Sequence, residues 1–289
     1  MLQMNRRKML LTGAGSLGLC ALPLAARAQL PATGRPLQFG VLPITSTRVL
    51  LGNYAPVRSY LERVLGQPVE LVTGPDFRTF HHNTMQGLYD LVVTASHLGR
   101  LAQLDAGWVP LVRYTALHQT LLITSRERPL RQLEELRGRS LAGPDALTLS
   151  SIEAQDWLQS RGLRVGVDYN HLETPTPPSA AHALINGHSV LAVSTPQGMR
   201  NTPEALRNQL VVFASLAELP SLLWLAHPRL AAHQSLLKSA LLGLNTPAAG
   251  VAAFFEATGY QSVREVPVSE LAVADRYLPR LRESLKASR

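Results

Sequence analysis

LQFGVLPITSTRVLLGNYAPVRSYLERVLGQPVELV, residues 37–72, reads as a strand, a helix and a second strand. Residues 37–42 are a short apolar run stopped by Pro43, the pattern of a buried strand. Tyr54, Val57, Tyr60, Leu61, Val64 and Leu65 then recur at helical spacing, with Pro56 near the start and Gly66 at the stop. Residues 69–72 form the next strand. Two strands joined through a helix pair in parallel, because the crossover returns the chain to the edge it left. The stretch therefore predicts a parallel sheet covered by helices.

The alternation continues outward. Residues 80–88 read as a short helix, 90–94 as a strand, and 96–104 as a helix with Ser96 placed to cap it; 108–114 is again extended. Residues 120–124 open a second series, followed by a helix over 129–136 ended by Gly138, a strand at 140–142 and a helix over about 151–161. A helix over 180–185 runs up to the turn pair Asn186-Gly187, and 190–193 is a buried strand. Thr202 and Pro203 read as N-cap and first-turn proline of a helix to Gln209, before an extended piece at 211–213. The remainder predicts a strand at 221–226 and helices at 227–242, 247–257 and 270–286. The fold class is α/β with mainly parallel sheets.

The chain has 289 residues, 46% of them hydrophobic, which is enough for two modest cores and too apolar for a disordered chain. One cysteine excludes a disulfide scaffold. No stretch of 18 uninterrupted apolar residues occurs, which excludes a polytopic membrane protein. The formal net charge of +8 points at first to nucleic acid. Half of it, however, resides in residues 1–28, where Arg6, Arg7, Lys8 and Arg27 stand without any acid. The other lysines are only Lys238 and Lys286, and the arginines are scattered, so no nucleic-acid partner is expected.

Residues 1–28 have the order of an export signal: Arg6-Arg7-Lys8, a mild apolar run loosened by Gly13, Gly15, Ser16 and Gly18, then Ala26-Arg27-Ala28 for a peptidase. The segment from Asn5 to Leu10 resembles a twin-arginine (Tat) signal. Gly13 to Gly18 also fits GxGxxG, but the acid a dinucleotide fold needs about 20 residues on is missing. The first acid is Glu62. Acylation at Cys20 is disfavoured by Leu19 before it. Cleavage after Ala28 would leave a periplasmic protein without cysteine, with residues 29–35 as a linker.

Phe39-Gly40-Val41-Leu42-Pro43, the helix running from Tyr54-Ala55-Pro56 to Leu65-Gly66, Gly87-Leu88-Tyr89-Asp90-Leu91, Leu133-Glu134-Glu135-Leu136-Arg137-Gly138 and Ala183-Leu184-Ile185-Asn186-Gly187 follow one another in a specific order. Together they resemble the periplasmic phosphonate/phosphate-type substrate-binding proteins of ABC transporters, over about residues 37–285. The resemblance implies a two-lobed type 2 periplasmic-binding-protein fold with a hinge. Residues 36–119 and 221–289 would form one lobe and 120–220 the other. It also implies a monomer that captures a small anionic or polar solute for an inner-membrane ABC permease, with no cofactor and no catalytic residue. A periplasmic sensory component is the alternative, and an enzyme on the same fold a more distant one.

Ligands of open parallel sheets sit beyond the carboxyl ends of the strands, at helix N-termini. Four such junctions carry hydroxyls: Thr45-Ser46-Thr47, Thr94-Ala95-Ser96, Thr148 with Ser150 and Ser151, and Ser194-Thr195. These residues and His97 are the candidate ligand-binding set; helix capping is the competing reading for each. Arg48 and Arg100 are further candidate anion partners, and Tyr114 and His118 either line the cleft or pack. The family's lobe-2 loop, Asp-Pro-x-Ser-Thr-Ser-Gly, is replaced here by Gly143-Pro144-Asp145-Ala146-Leu147-Thr148-Leu149. One hydroxyl survives, Leu149 stands in place of the glycine, and Glu153 and Asp156 follow in the helix, which disfavours a phosphonate. His81, His82 and His97 lack metal-ligand spacing, since adjacent helical residues point apart. Trp157 and Trp224 are expected in the core.

Overall fold

The computed structural model describes residues 30 and 34–286. The export signal expected in residues 1–28 and the linker positions 29 and 31–33 lie outside the described residues. The chain begins with β1 (Leu37–Val41), α1 (Thr47–Leu65), β2 (Val69–Val72), α2 (Phe77–Met85), β3 (Leu91–Ala95), α3 (Ser96–Ala106) and β4 (Val109–Tyr114). It crosses into β5 (Leu117–Ser125), β6 (Ser140–Gly143), α4 (Leu149–Gln159), β7 (Asn170–Glu173), α5 (Pro177–Ile185), β8 (Leu191–Ser194), α6 (Pro196–Asn201), α7 (Glu204–Arg207) and β9 (Leu210–Pro220). It then returns through β10 (Leu222–Ala226), α8 (Gln234–Leu242), α9 (Ala252–Thr258), β11 (Val263–Glu265), α10 (Val268–Leu271) and α11 (Leu278–Lys286).

Two sheets result. The first has the order β11-β4-β10-β3-β1-β2, the second β7-β6-β8-β5-β9. In the first, β1 pairs in parallel with β2 and β3, placing Leu37 opposite Val69 and Phe39 opposite Leu91. The incoming β10 runs antiparallel between β3 and β4. In the second, β6 is parallel to β7 and β8, and β5 is antiparallel to β8 and β9. The chain passes between sheets twice, through Thr115-Ala116 and through Ser221.

Sheets covered on both faces need strands apolar on both sides, which is how β3 and β10 read: all five residues of each are buried. In the first core Trp224 is fully buried and stacks on Phe39 at 4.8 Å, with Tyr54 edge-on to Phe39. Gly40 lies under the Tyr89 ring, which a Cβ there would meet at 2.9 Å. The second core gathers Leu122, Leu141, Leu158 and Leu191. Trp157, expected inside, is only half-buried; the Arg161 guanidinium covers it at 3.8 Å.

Local expectations fail where short-range signals conflict. The helix expected over 129–136 is a single 3-10 turn, Leu133–Leu136, entered from an extended Gln132. Thr202 ends α6 rather than capping the next helix, which shrinks to Glu204–Arg207. The extended piece at 211–213 belongs to an eleven-residue strand, β9. β7 and β11 have no counterpart in the pattern of the sequence. Both are short edge strands with exposed polar positions, where the period-2 signal is faint.

Candidate functional site

The carboxyl ends of β1, β3, β6 and β8 lead into α1, α3, α4 and α6, and two of these four junctions touch each other. From β3, Thr94 is buried with its methyl group beside Gly99, and Ala95 takes the cap position of α3 without a side-chain bond. Ser96 is therefore not the cap: it is the first helical residue, 3% exposed, and its Oγ has no partner. His97 is completely buried, with Nε2 2.8 Å from the Leu147 carbonyl oxygen. A carbonyl only accepts, so Nε2 carries the proton and Nδ1 a lone pair, which is also without a partner. Burial lowers the His97 pKa from 6.5 to about 4; the Leu147 bond opposes that shift, and the nearby His118 and His81 reinforce it.

The partner loop, Gly143 to Thr148, is folded by its own polar groups. Asp145 Oδ1 accepts the Leu147 N–H at 2.7 Å. Thr148 Oγ1 donates to the Asp145 carbonyl at 2.8 Å and accepts the Ser151 N–H at 3.3 Å, capping α4. Ser151 Oγ donates to the Pro144 carbonyl at 3.0 Å. These bonds present Leu147 to the other sheet, where it is 1% exposed inside that sheet's hydrophobic cluster. Burial of a leucine side chain favours this closed arrangement by roughly 2 kcal/mol.

A polar network runs behind the loop. His118 Nε2, on β5, lies 3.3 Å from Ser150 Oγ, 3.1 Å from Thr120 Oγ1 and 3.3 Å from Glu153 Oε2. Thr120 donates to Glu153 Oε2 at 2.7 Å, and the Tyr277 hydroxyl donates to Oε1 at 3.4 Å. Tyr277 lies just before α11, so this network also ties β5 and α4 to the chain's returning C-terminal segment. Around it Leu149, Ile152, Leu219 and Tyr277 form an apolar cluster, and Arg276 pairs with Asp156 at 2.8 Å.

The other candidates lie apart. Thr45, Ser46 and Thr47 are exposed at the start of α1, and Ser46 makes no capping bond. Ser194 is buried beside Gly198, whose N–H the Thr195 hydroxyl accepts at 2.9 Å, so this junction closes on its own helix. Arg100 is engaged by Asp275 at 2.6 Å, and the Tyr114 hydroxyl meets that of Tyr54 at 3.2 Å in packed surroundings. His81 is buried and His82 exposed. Among the described residues no group of three or more His, Cys, Asp or Glu is arranged for a metal, and no helix is long and apolar enough to cross a membrane. Leu147, Thr120 and Tyr277 are not among the residues that the sequence marks as candidates. Leu147 had a signal, a bulky apolar residue in a Pro-Asp loop directly before a threonine cap; Tyr277, some 124 positions from Glu153, had none.

Solved structures share this architecture. A Xanthomonas citri protein bound to ATP superposes with a TM-score of 0.75 at 16% identity, over 86% of this chain and 99% of that one. PhnD1 from Prochlorococcus marinus in complex with methylphosphonate gives 0.71 at 13% identity, over 86% and 98%. The periplasmic aliphatic sulphonate binding protein SsuA from Escherichia coli gives 0.61 at 15% identity, over 88% and 94%. These establish a type 2 periplasmic-binding-protein fold. No curated protein sequence matches the chain significantly. The family described as phosphonate ABC transporter, periplasmic substrate-binding protein matches residues 39–270. With most of its length inside that match and both sheets accounted for, the chain belongs to this family of periplasmic substrate-binding proteins.

Proposed function

We propose that this solute-binding protein closes its two sheets over a small polar or singly charged solute and delivers it to an ABC permease in the inner membrane. In this reading residues 36–114 and 222–289 form one lobe and 117–220 the other, three residues earlier at the first crossing than the sequence suggests, and the protein works as a monomer that binds without transforming its ligand. Residues 1–28 serve as the export signal, of twin-arginine type, cleaved near Ala28. Ser96, His97 and Ser150 contact the ligand, with Thr94, Thr148, Ser151, Ser194 and Thr195 shaping the strand ends. Thr45, Ser46 and Thr47, exposed at the start of α1 and apart from those junctions, are the outermost members of the proposed set.

The observation that carries the proposal is the bond across the cleft from His97 Nε2 to the Leu147 carbonyl, beside the unpartnered Ser96 Oγ and His97 Nδ1. Buried polar atoms without partners cost about 1–3 kcal/mol each, which a ligand entering between the sheets would relieve. Leu147 and Leu149 replace the family's hydroxyl-and-glycine loop, and the Glu153 carboxyl group lies behind Ser150 through His118. Both features argue against a phosphonate dianion, the first by bulk and the second by charge.

Ligand-stripped protein in a thermal-shift screen of phosphonates, phosphate, phosphite, sulfonates and small carboxylates tests this. A true ligand at 100 times its Kd stabilises by about 2.7 kcal/mol. The shift is expected with a sulfonate or carboxylate and is lost in His97→Gln. A flat screen across all classes overturns the proposed ligand chemistry, and a shift that survives His97→Gln overturns the site.

A further inference from the structure

At the amino ends of β6 and β8, the opposite end of those strands from Leu147, a pocket of about 280 Å³ opens between the loop after β5 and residues 187–190. Arg128, Arg131 and Arg139 line it, and among the described residues none of the three is paired with a carboxylate. Arg128 is held in place by the turn beside it. Its Nη2 donates to the Ile185 carbonyl, and its Nη1 lies 2.8 Å from where a Cβ at position 187 would stand. Gly187, at φ +77°, is thus required twice, for its backbone conformation and for the space the guanidinium occupies.

Two hydroxyls complete the lining. Ser189 is 3% exposed and its Oγ has no hydrogen-bond partner. Ser125 Oγ accepts the Arg128 N–H at 3.4 Å, which leaves its own proton free to donate. Glu127 and Glu135 also border the pocket, and Glu135 accepts the Gln132 N–H at 3.3 Å. Three guanidinium groups against two carboxylates leave a surplus of one positive charge at neutral pH.

We propose that this pocket is a second, separate binding site for a phosphoryl oxyanion, taken as inorganic phosphate or a small phosphate monoester. Guanidinium forks match tetrahedral oxyanions, and a buried serine hydroxyl supplies a neutral donor that at present bonds to nothing. The two carboxylates exclude polyanions by repulsion and restrict the site to small, modestly charged phosphates. The proposal does not depend on the cleft or on its ligand.

The test is a titration of the ligand-stripped, isotope-labelled full chain with inorganic phosphate at constant ionic strength, followed through backbone amide shifts. Saturable changes are expected at Ser125, Gly187 and Ser189. Affinity should fall at least about tenfold in the double variant Arg131→Gln/Arg139→Gln, the equivalent of one lost charge-assisted bond. Both side chains are exposed, so the variant should keep the melting temperature of the parent. Equal shifts with chloride at matched ionic strength, or unchanged affinity in the variant, would overturn the site. Shifts confined to Ser96, His97 and Leu147 would place phosphate in the cleft, overturning this proposal while leaving a cleft-binding role standing.

Discussion

Leu147→Ala removes a side chain buried in the cluster built by the first sheet and its helices, so its cost should fall on closure more than on folding. Truncations of this kind cost about 2–5 kcal/mol in a packed core. The expected outcome is a larger radius of gyration in ligand-free solution scattering, with unchanged far-ultraviolet circular dichroism. A lower melting temperature at constant radius of gyration would instead mark Leu147 as ordinary core. Thr148→Ala deletes the cap of α4 and should lower stability by about 1 kcal/mol in urea denaturation, whether or not a ligand is present. Thr148, Ser151 and Thr195 stand out in the sequence by residue type and position, yet their hydrogen bonds stay within their own strand-to-helix junctions. Ser96 looks the same in sequence and is left without a partner. That difference is one of tertiary surroundings and has no local signal.

Strands buried on both faces and helices with a clear apolar stripe are legible because burial repeats at the period of the element, as in β1, α1, β3 and β10. The short edge strands β7 and β11 are not, and neither is the eleven-residue β9, whose exposed and buried positions follow the long antiparallel pairing with β5. The junctions after β3 and β6 were legible as candidate sites through their hydroxyls. The network of His118, Thr120, Glu153 and Tyr277 was not, since it joins three elements distant in sequence. Element packing makes its own test in two glycines. Gly40→Ala on β1 drives a Cβ to 2.9 Å from the Tyr89 ring, which is stacked on Phe80 at 5.1 Å and has nowhere to move. It should cost about 1–3 kcal/mol by equilibrium unfolding. Gly99→Ala on α3 meets only the methyl tips of Leu223, Leu225 and Thr94 at 3.0–3.2 Å, and gains about 1 kcal/mol of helix propensity. Its net effect should be markedly smaller; equal losses would show that both sites are limited by backbone fit.

Closure joins the two sheets through groups that respond to acid. His97 titrates at about 4 in the closed protein against 6.5 ordinarily, and His81, buried on α2, is likewise lowered to about 4. The unfolded chain takes up a proton at each site as pH falls below about 6.5, while the native state resists until about 4. Stability is therefore complete above pH 6.5 and declines through that window, by roughly 3 kcal/mol per histidine. The two histidines differ in what releases them. His81 is desolvated within the first sheet's layer, where Asp105 partly offsets the effect and His82 adds to it. His97 is covered in part by Leu147 from the second sheet and faces His118 and His81, so withdrawal of the loop rehydrates it without unfolding either sheet. Acid should open the molecule before it unfolds it. Scattering between pH 7.5 and 4.5 is expected to show a rising radius of gyration that is absent in His97→Gln and retained in His81→Gln, while each variant is less acid-sensitive in urea denaturation. A constant radius of gyration in the parent, alongside the same loss of stability, would mean that the first sheet alone keeps His97 dry and that closure contributes nothing to its shift.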